Sequence, residues 1–157
     1  MKVSIIIPVY KNARHLSECL TSILAQNFQD MEILISDDCS PDNSVDIIRD
    51  FAAKDPRIRW WRNERNLGLT FNHNVCLRVA QGEFIKPFHA DDKFLHPDAL
   101  ARMVKILEEN PSVSLVCTGA EQRPSVQKNA AALGSTGYST FARGNGPSLA
   151  SYHSTTW

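Results

Sequence analysis

The chain has 157 residues with 17 Lys plus Arg against 17 Asp plus Glu, so no global field draws it to nucleic acid or an anionic membrane, and any anion recognition must be local. This length suits one domain that buries roughly two thirds of its unfolded surface, and no stretch reaches the roughly 18 apolar residues that span a bilayer, so neither a secretion signal nor an anchor is expected. Four cysteines, Cys19, Cys39, Cys76 and Cys117, stand far apart without a CxxC pair, which predicts reduced thiols in a cytoplasmic protein.

In chain order, Val3–Val9 is an apolar, β-branched run punctuated by Pro8 and followed directly by Tyr10. It predicts a buried strand with an aromatic platform at its tip. Leu16, Leu20, Ile23 and Leu24 form one stripe of a helix over Ala13–Gln26, with Asn12 placed to cap it. Glu32–Ser36 predicts a second strand, ending in Asp37-Asp38. A helix over Ser44–Lys54, capped by Ser44, and a strand over Ile58–Trp61 follow. Leu69–Ala80 reads as the third helix, with Gly82 just beyond it. The short strand Phe84–Phe88 leads into His89-Ala90-Asp91-Asp92. A fourth helix spans Pro97–Glu109, with Pro97 suited to its first turn, and a last strand covers Ser114–Thr118. From Gly119 onward lie five of the seven glycines and no strong period; this end reads as loops of a larger domain, a wrap on the sheet, or an unstructured tail.

Strands alternating with helices predict an α/β fold with a mostly parallel sheet and helices on both faces. In such sheets the ligand crevice lies at the carboxyl ends of the strands, where both acidic pairs emerge. Adjacent carboxylates repel, and a divalent cation holding a phosphorylated ligand relieves that repulsion, because hard cations take carboxylate and phosphate oxygens together. A polar turn, with Asp92 capping a helix, is the structural alternative for the second pair, and a turn before Ser40-Pro41-Asp42 is the alternative for the first.

Four pieces in order resemble the nucleotide-binding half of family 2 glycosyltransferases, which have the Rossmann-like GT-A fold. They are Ser4-Ile5-Ile6-Ile7-Pro8-Val9-Tyr10-Lys11-Asn12, Glu32-Ile33-Leu34-Ile35-Ser36-Asp37-Asp38-Cys39-Ser40, Asn66-Leu67-Gly68, and Gly82-Glu83-Phe84-Ile85 leading to His89-Ala90-Asp91-Asp92. The resemblance covers about Lys2 to Thr118 and divides the chain into a nucleotide-sugar-binding core, 1–118, and a glycine- and serine-rich segment, 119–157, that stands as a remnant or truncated acceptor-binding part.

The resemblance implies transfer of a sugar, with inversion, from a nucleotide-diphosphate sugar, a UDP-sugar in preference, to a glycan or lipid-linked acceptor. Pro8, Tyr10, Asp38, Asn66, Gly68 and Asp91 would bind the nucleotide, with Tyr10 stacking on the base and Asp38 accepting from a base N–H. Asp92 and Asp91, with His89 as a further candidate, would hold Mn2+ or Mg2+. The implied setting is the cytoplasm, with peripheral association at the inner membrane face for a lipid-linked acceptor. The alternative is a truncated or non-catalytic nucleotide-sugar-binding module.

The chain departs from the family pattern at three places. His89 stands where the motif commonly opens with Asp, and Asn72-His73-Asn74 stands where Ala-Arg-Asn is frequent. An inverting transfer also needs a carboxylate base to take the acceptor proton, and the acids after Asp98 are Glu108, Glu109 and Glu121. Glu121 is the candidate base, since the other two fall at the end of a predicted helix. Two other classes fit poorly: a phosphoryl-accepting signalling domain wants acids after the first strand, and a dinucleotide-binding domain wants GxGxxG there.

Overall fold

The computed structural model describes residues 1–120 and 137–143. Its elements are β1 (Val3–Val9), α1 (Ala13–Leu24), β2 (Met31–Asp37), α2 (Ser44–Ala52), β3 (Ile58–Arg62), α3 (Leu69–Val79), β4 (Phe84–Pro87), α4 (Ala99–Glu109), β5 (Leu115–Ala120) and β6 (Gly137–Arg143). One six-stranded sheet has the order β3-β2-β1-β4-β6-β5. The first four positions pair in parallel, and β6 runs antiparallel to both β4 and β5.

Every residue of β1 and β2 is buried, which is why both read as continuous apolar runs rather than alternating ones. Alternate residues of β1 face opposite layers. Val3, Ile5, Ile7 and Val9 pack with Leu16, Leu20 and Ile23 of α1, Ile48 of α2 and Leu100, Met103, Val104 and Leu107 of α4. Ile6 turns to the other face, with Leu34, Ile85 and Cys76 of α3. Burying each large aliphatic side chain stabilises the fold by roughly 1.5–3 kcal/mol, so the three-helix face carries most of the hydrophobic stabilisation.

The helix starts differ from the sequence expectation in an informative way. Asn12 and Asn43 occupy the cap positions of α1 and α2, yet neither side chain makes a cap bond. Asp42 serves both helices instead: its Oδ2 accepts from the Ala13 amide (3.0 Å), and its Oδ1 accepts from the Ser44 amide (3.2 Å) and hydroxyl (2.6 Å). Ser44, expected as the cap, is the first residue of α2, and its Oγ accepts from the Asn12 amide (3.2 Å). Burial alone would raise the Asp42 carboxyl, but these donors hold it below its ordinary value. Pro97 lies outside α4, which begins at Ala99.

Strand order sets the crevice. From β1 the chain proceeds to β2 and β3 on one side, then returns to place β4 on the other, so the topological switch lies between β1 and β4. Pairing of β1 with β2 continues to Val9 opposite Asp37, whereas pairing with β4 stops at Ile6 opposite Pro87. Only the Phe88 amide, donating to Ile6 O (2.9 Å), extends the contact. Pro8 and Pro87 have no N–H to continue a ladder. The two strands therefore stop pairing before their carboxyl ends, which is where the ligand crevice of such a sheet lies.

The opposite edge is closed by a buried polar cluster. Glu32 Oε1 accepts from Ser4 Oγ (2.6 Å) and the Gln81 amide (2.8 Å), and Glu32 Oε2 from Arg59 (3.0 Å). Gly82 passes so close to β1 that a Cβ would stand 2.4 Å from the Ser4 nitrogen. A side chain there has no room.

Candidate functional site

The expected residues gather at the carboxyl edge, but in two different states. At the tip of β2, Asp37 is fully buried and accepts from Arg62 Nε (3.2 Å) and the Ser40 amide (3.1 Å). Its Oδ1 has no partner among the described residues. Asp38 is 1% exposed. Its Oδ1 accepts from Asn63 Nδ2 (2.9 Å) and the Leu67 amide (2.8 Å), and its Oδ2 from the Gly68 amide (2.9 Å).

Asp38 thus anchors Asn66-Leu67-Gly68. The Asn66 side chain closes the same turn by accepting from the Gly68 amide (3.0 Å), and Gly68 has φ +82, a conformation that L side chains rarely adopt. The anchor extends inward, because Asn63 also donates to Asn72 Oδ1 (2.9 Å) while Asn72 donates to Ser36 O (2.9 Å). Asn63 did not stand out in the sequence, and Asn72 did so only as part of Asn72-His73-Asn74, with no role assigned to it. Asn72 had one signal: it lies four residues before Cys76, on the stripe that α3 buries.

At the tip of β4, Asp91 and Asp92 are exposed and form no ion pair among the described residues. One weak contact reaches them, from the His89 amide to Asp92 Oδ2 (3.4 Å). Their charge is felt by neighbours. Burial, reinforced by Asp92 and Asp91, pushes the Cys19 thiol above its ordinary range. Lys86 is fully buried, and burial lowers its amine to about 8 against the opposing pull of Asp92.

Tyr10 stands across the cleft at the tip of β1, 44% exposed, with Lys11 Nζ 5.2 Å from its ring centroid. Pro8, one step inside, is buried. His89 is exposed beside the acids and faces His73 from α3, with ring centroids 5.8 Å apart and planes at 60°. Burial, with a smaller contribution from His89, lowers the His73 imidazole to about 4.

The acids after Asp98 are now placed. Glu108 pairs with Lys2 (2.8 Å), at the amino end of β1 and away from the cleft. Glu109 pairs with Lys105 (3.7 Å) on the outside of α4. Glu121 lies outside the described residues.

The donor set at β4 suits a hard divalent ion: two adjacent carboxylates, exposed and without an ion pair among the described residues. No three His, Cys, Asp or Glu side chains among the described residues already converge on one point. An ion here would therefore draw its remaining ligands from water and from phosphate oxygens, as Mg2+ usually does.

Comparison with known proteins agrees with this layout. The sequence model described as "Glycosyl transferase family 2" matches residues 4–151, and the chain belongs to that family. Glycosyltransferase GlyG of Streptococcus pneumoniae is 37% identical over 90 residues, covering 57% of this chain and 30% of that protein. Mannosyltransferase PcManGT from Pyrobaculum calidifontis, solved with GDP-Man and Mn2+, superposes with a TM-score of 0.68 at 28% identity, over 73% of this chain and 34% of that one. S. aureus TarS 1-349, solved with UDP-GlcNAc, gives a TM-score of 0.73 at 24% identity over 91% and 45% of the two chains. The fold is GT-A. The chain spans less than half the length of the curated relatives it matches.

Proposed function

We propose that this chain is the donor-binding part of an inverting glycosyltransferase. It would take a nucleotide-diphosphate sugar, preferably a UDP-sugar, and pass the sugar to a glycan or lipid-linked acceptor, in the cytoplasm or at the inner membrane face. The observation that carries this reading is the pair of exposed carboxylates Asp91 and Asp92, without an ion pair among the described residues, just past the end of β4, on the same sheet edge as Tyr10 past the end of the neighbouring β1. The donor complexes of two proteins of the same fold, with GDP-Man and with UDP-GlcNAc, support it.

In this reading the Tyr10 ring stacks on the base, with Pro8 fixing its approach. Three of the roughly four acceptor sites on Asp38 are occupied, which leaves it one further donor, such as the ring N–H of uracil. Asn66 and Gly68 form the wall held by Asp38. Asp91 and Asp92 would hold Mn2+ or Mg2+; such an ion, when bound, would stabilise the charge that gathers on a leaving diphosphate. Glu121 is the candidate base for the acceptor hydroxyl, which must lose its proton as it attacks the anomeric carbon from the face opposite the diphosphate.

A donor-binding module without turnover is the second reading, favoured by the ion pairs that keep Glu108 and Glu109 away from the cleft. Calorimetric titration of UDP and GDP, with Mn2+ and with EDTA, tests both. Micromolar UDP binding that needs the ion and is lost in Asp92→Asn is the expected result. Binding without transfer to any acceptor selects the module, and no binding by a folded chain overturns both readings.

A further inference from the structure

His73 has no role in the scheme above and His89 entered only as a further candidate beside the two aspartates, yet the two rings meet at its edge. One comes from α3 and the other from the tip of β4, 16 residues apart in the sequence. Their centroids lie 5.8 Å apart. An ion bonded to one nitrogen of each of two imidazoles at about 2.0–2.1 Å, in roughly tetrahedral geometry, sets ring centroids about 5–6 Å apart. Neither imidazole makes a hydrogen bond or ion pair among the described residues: the bonds at His89 use its backbone amide and carbonyl.

The support beneath the pair is firm on the His73 side. Asn72 and Cys76 bind α3 to β2 through Ser36 O (2.9 Å) and Leu34 O (3.7 Å), so His73 projects from a fixed helix. His89 projects from the residue after buried Phe88, and its carbonyl accepts from Cys19 (3.5 Å). His73 is partly buried, yet its ring nitrogens are not among the buried side-chain atoms without a partner, so they stay open to an incoming ion.

We propose that His73 and His89 form a two-imidazole ligand pair for a borderline divalent cation of the Zn2+ and Co2+ class at the mouth of the β1–β4 cleft. Imidazole selects such ions over Mg2+, which prefers oxygen. Asp91 and Asp92 follow His89 directly, so the pair would also shift the ion preference of the donor site toward Mn2+ and Co2+ over Mg2+. That second consequence rests on the donor-binding reading; ion binding by the pair does not.

The test uses the 157-residue chain without nucleotide, titrated with Co2+ or Zn2+ alone by calorimetry, with the visible spectrum of Co2+ as a second readout. His73→Ala and His89→Gln should each weaken binding about tenfold or more, since losing a ligand costs at least as much as losing its outer-shell support. His96→Ala, an exposed histidine at the other end of the β4–α4 connection, should leave it unchanged. His89 is exposed, so loss of binding in His89→Gln cannot be put down to unfolding. Absence of Co2+ and Zn2+ binding, or binding indifferent to His89→Gln, overturns the proposal. If UDP fails to bind while Co2+ still needs both histidines, only the donor reading falls; the converse result removes the histidine pair alone.

Discussion

The tips of β2 and β4 carry the same sequence feature, two adjacent aspartates at the carboxyl edge of one sheet, and the structure treats them in opposite ways. Asp37 and Asp38 are buried and receive donors from Arg62, Ser40, Asn63 and two loop amides. Asp91 and Asp92 are exposed, and their carboxylates receive one weak contact among the described residues, from the His89 amide to Asp92. A buried carboxylate depends on donors from the protein, so the first pair is largely taken up by the fold, with only Asp37 Oδ1 unpartnered among the described residues and one acceptor site on Asp38 left for the base in the donor-binding reading. An exposed pair keeps its acceptor capacity for something that arrives.

The contrast can be broken or sharpened by substitution. The largest effect is expected for Asp38→Ala, which strands three donors at the base of the Asn66–Gly68 turn. A loss of about 3 kcal/mol or more should appear in the urea unfolding midpoint. Equal loss from Asp91→Ala would erase the distinction between the tips. Next comes Gly82→Ala at the amino edge, where the new Cβ meets backbone at 2.4 Å; about 1–3 kcal/mol is expected from overpacking.

Asp55 gives a reference for a carboxylate paired with a cation. Its hydrogen bonds from Arg57 (2.6–3.2 Å) hold it below its ordinary 3.8. A depressed acid contributes stability that is present above the unfolded value and lost as pH falls through the folded one. Acid unfolding of Asp55→Asn should therefore show a shallower dependence below about pH 3.8. The smallest effect on stability, within about 0.5 kcal/mol, is expected for Asp92→Asn. The same variant should abolish metal-dependent nucleotide binding, so stability and binding separate most widely there.

The sequence disclosed the alternation of elements because β1 and β2 are buried on both faces and α1 and α4 carry one clear apolar stripe each, whereas α3 buries Asn72 and Cys76 and exposes Leu69 and Phe71. It disclosed that both acidic pairs share an edge, since both follow strands. It could not tell them apart, because burial of Asp38 depends on Asn63 and on loop amides supplied some 30 residues later. Helix capping failed for the same reason: Asp42 reaches across to α1, and no local pattern contains that contact. His73 read as a departure from a motif, and its meeting with His89 exists only once α3 is laid against β4. The strand β6 has small and polar residues at most positions, Gly137, Ser139, Thr140 and Ala142, with Phe141 buried against Phe84 at 5.6 Å between centroids, and so gave little periodic signal.

That strand imposes an order on synthesis. β6 is the last described strand to emerge from the ribosome, yet it occupies an interior position, between β4 and β5. Until residue 143 has been made, β4 and β5 have no strand to join them, and each presents an open row of amides and carbonyls. The nascent sheet can thus pair β1, β2 and β3, which carry Tyr10 and Asp38, while the outer side of β4 still waits for β6 at Phe84 and Ile85.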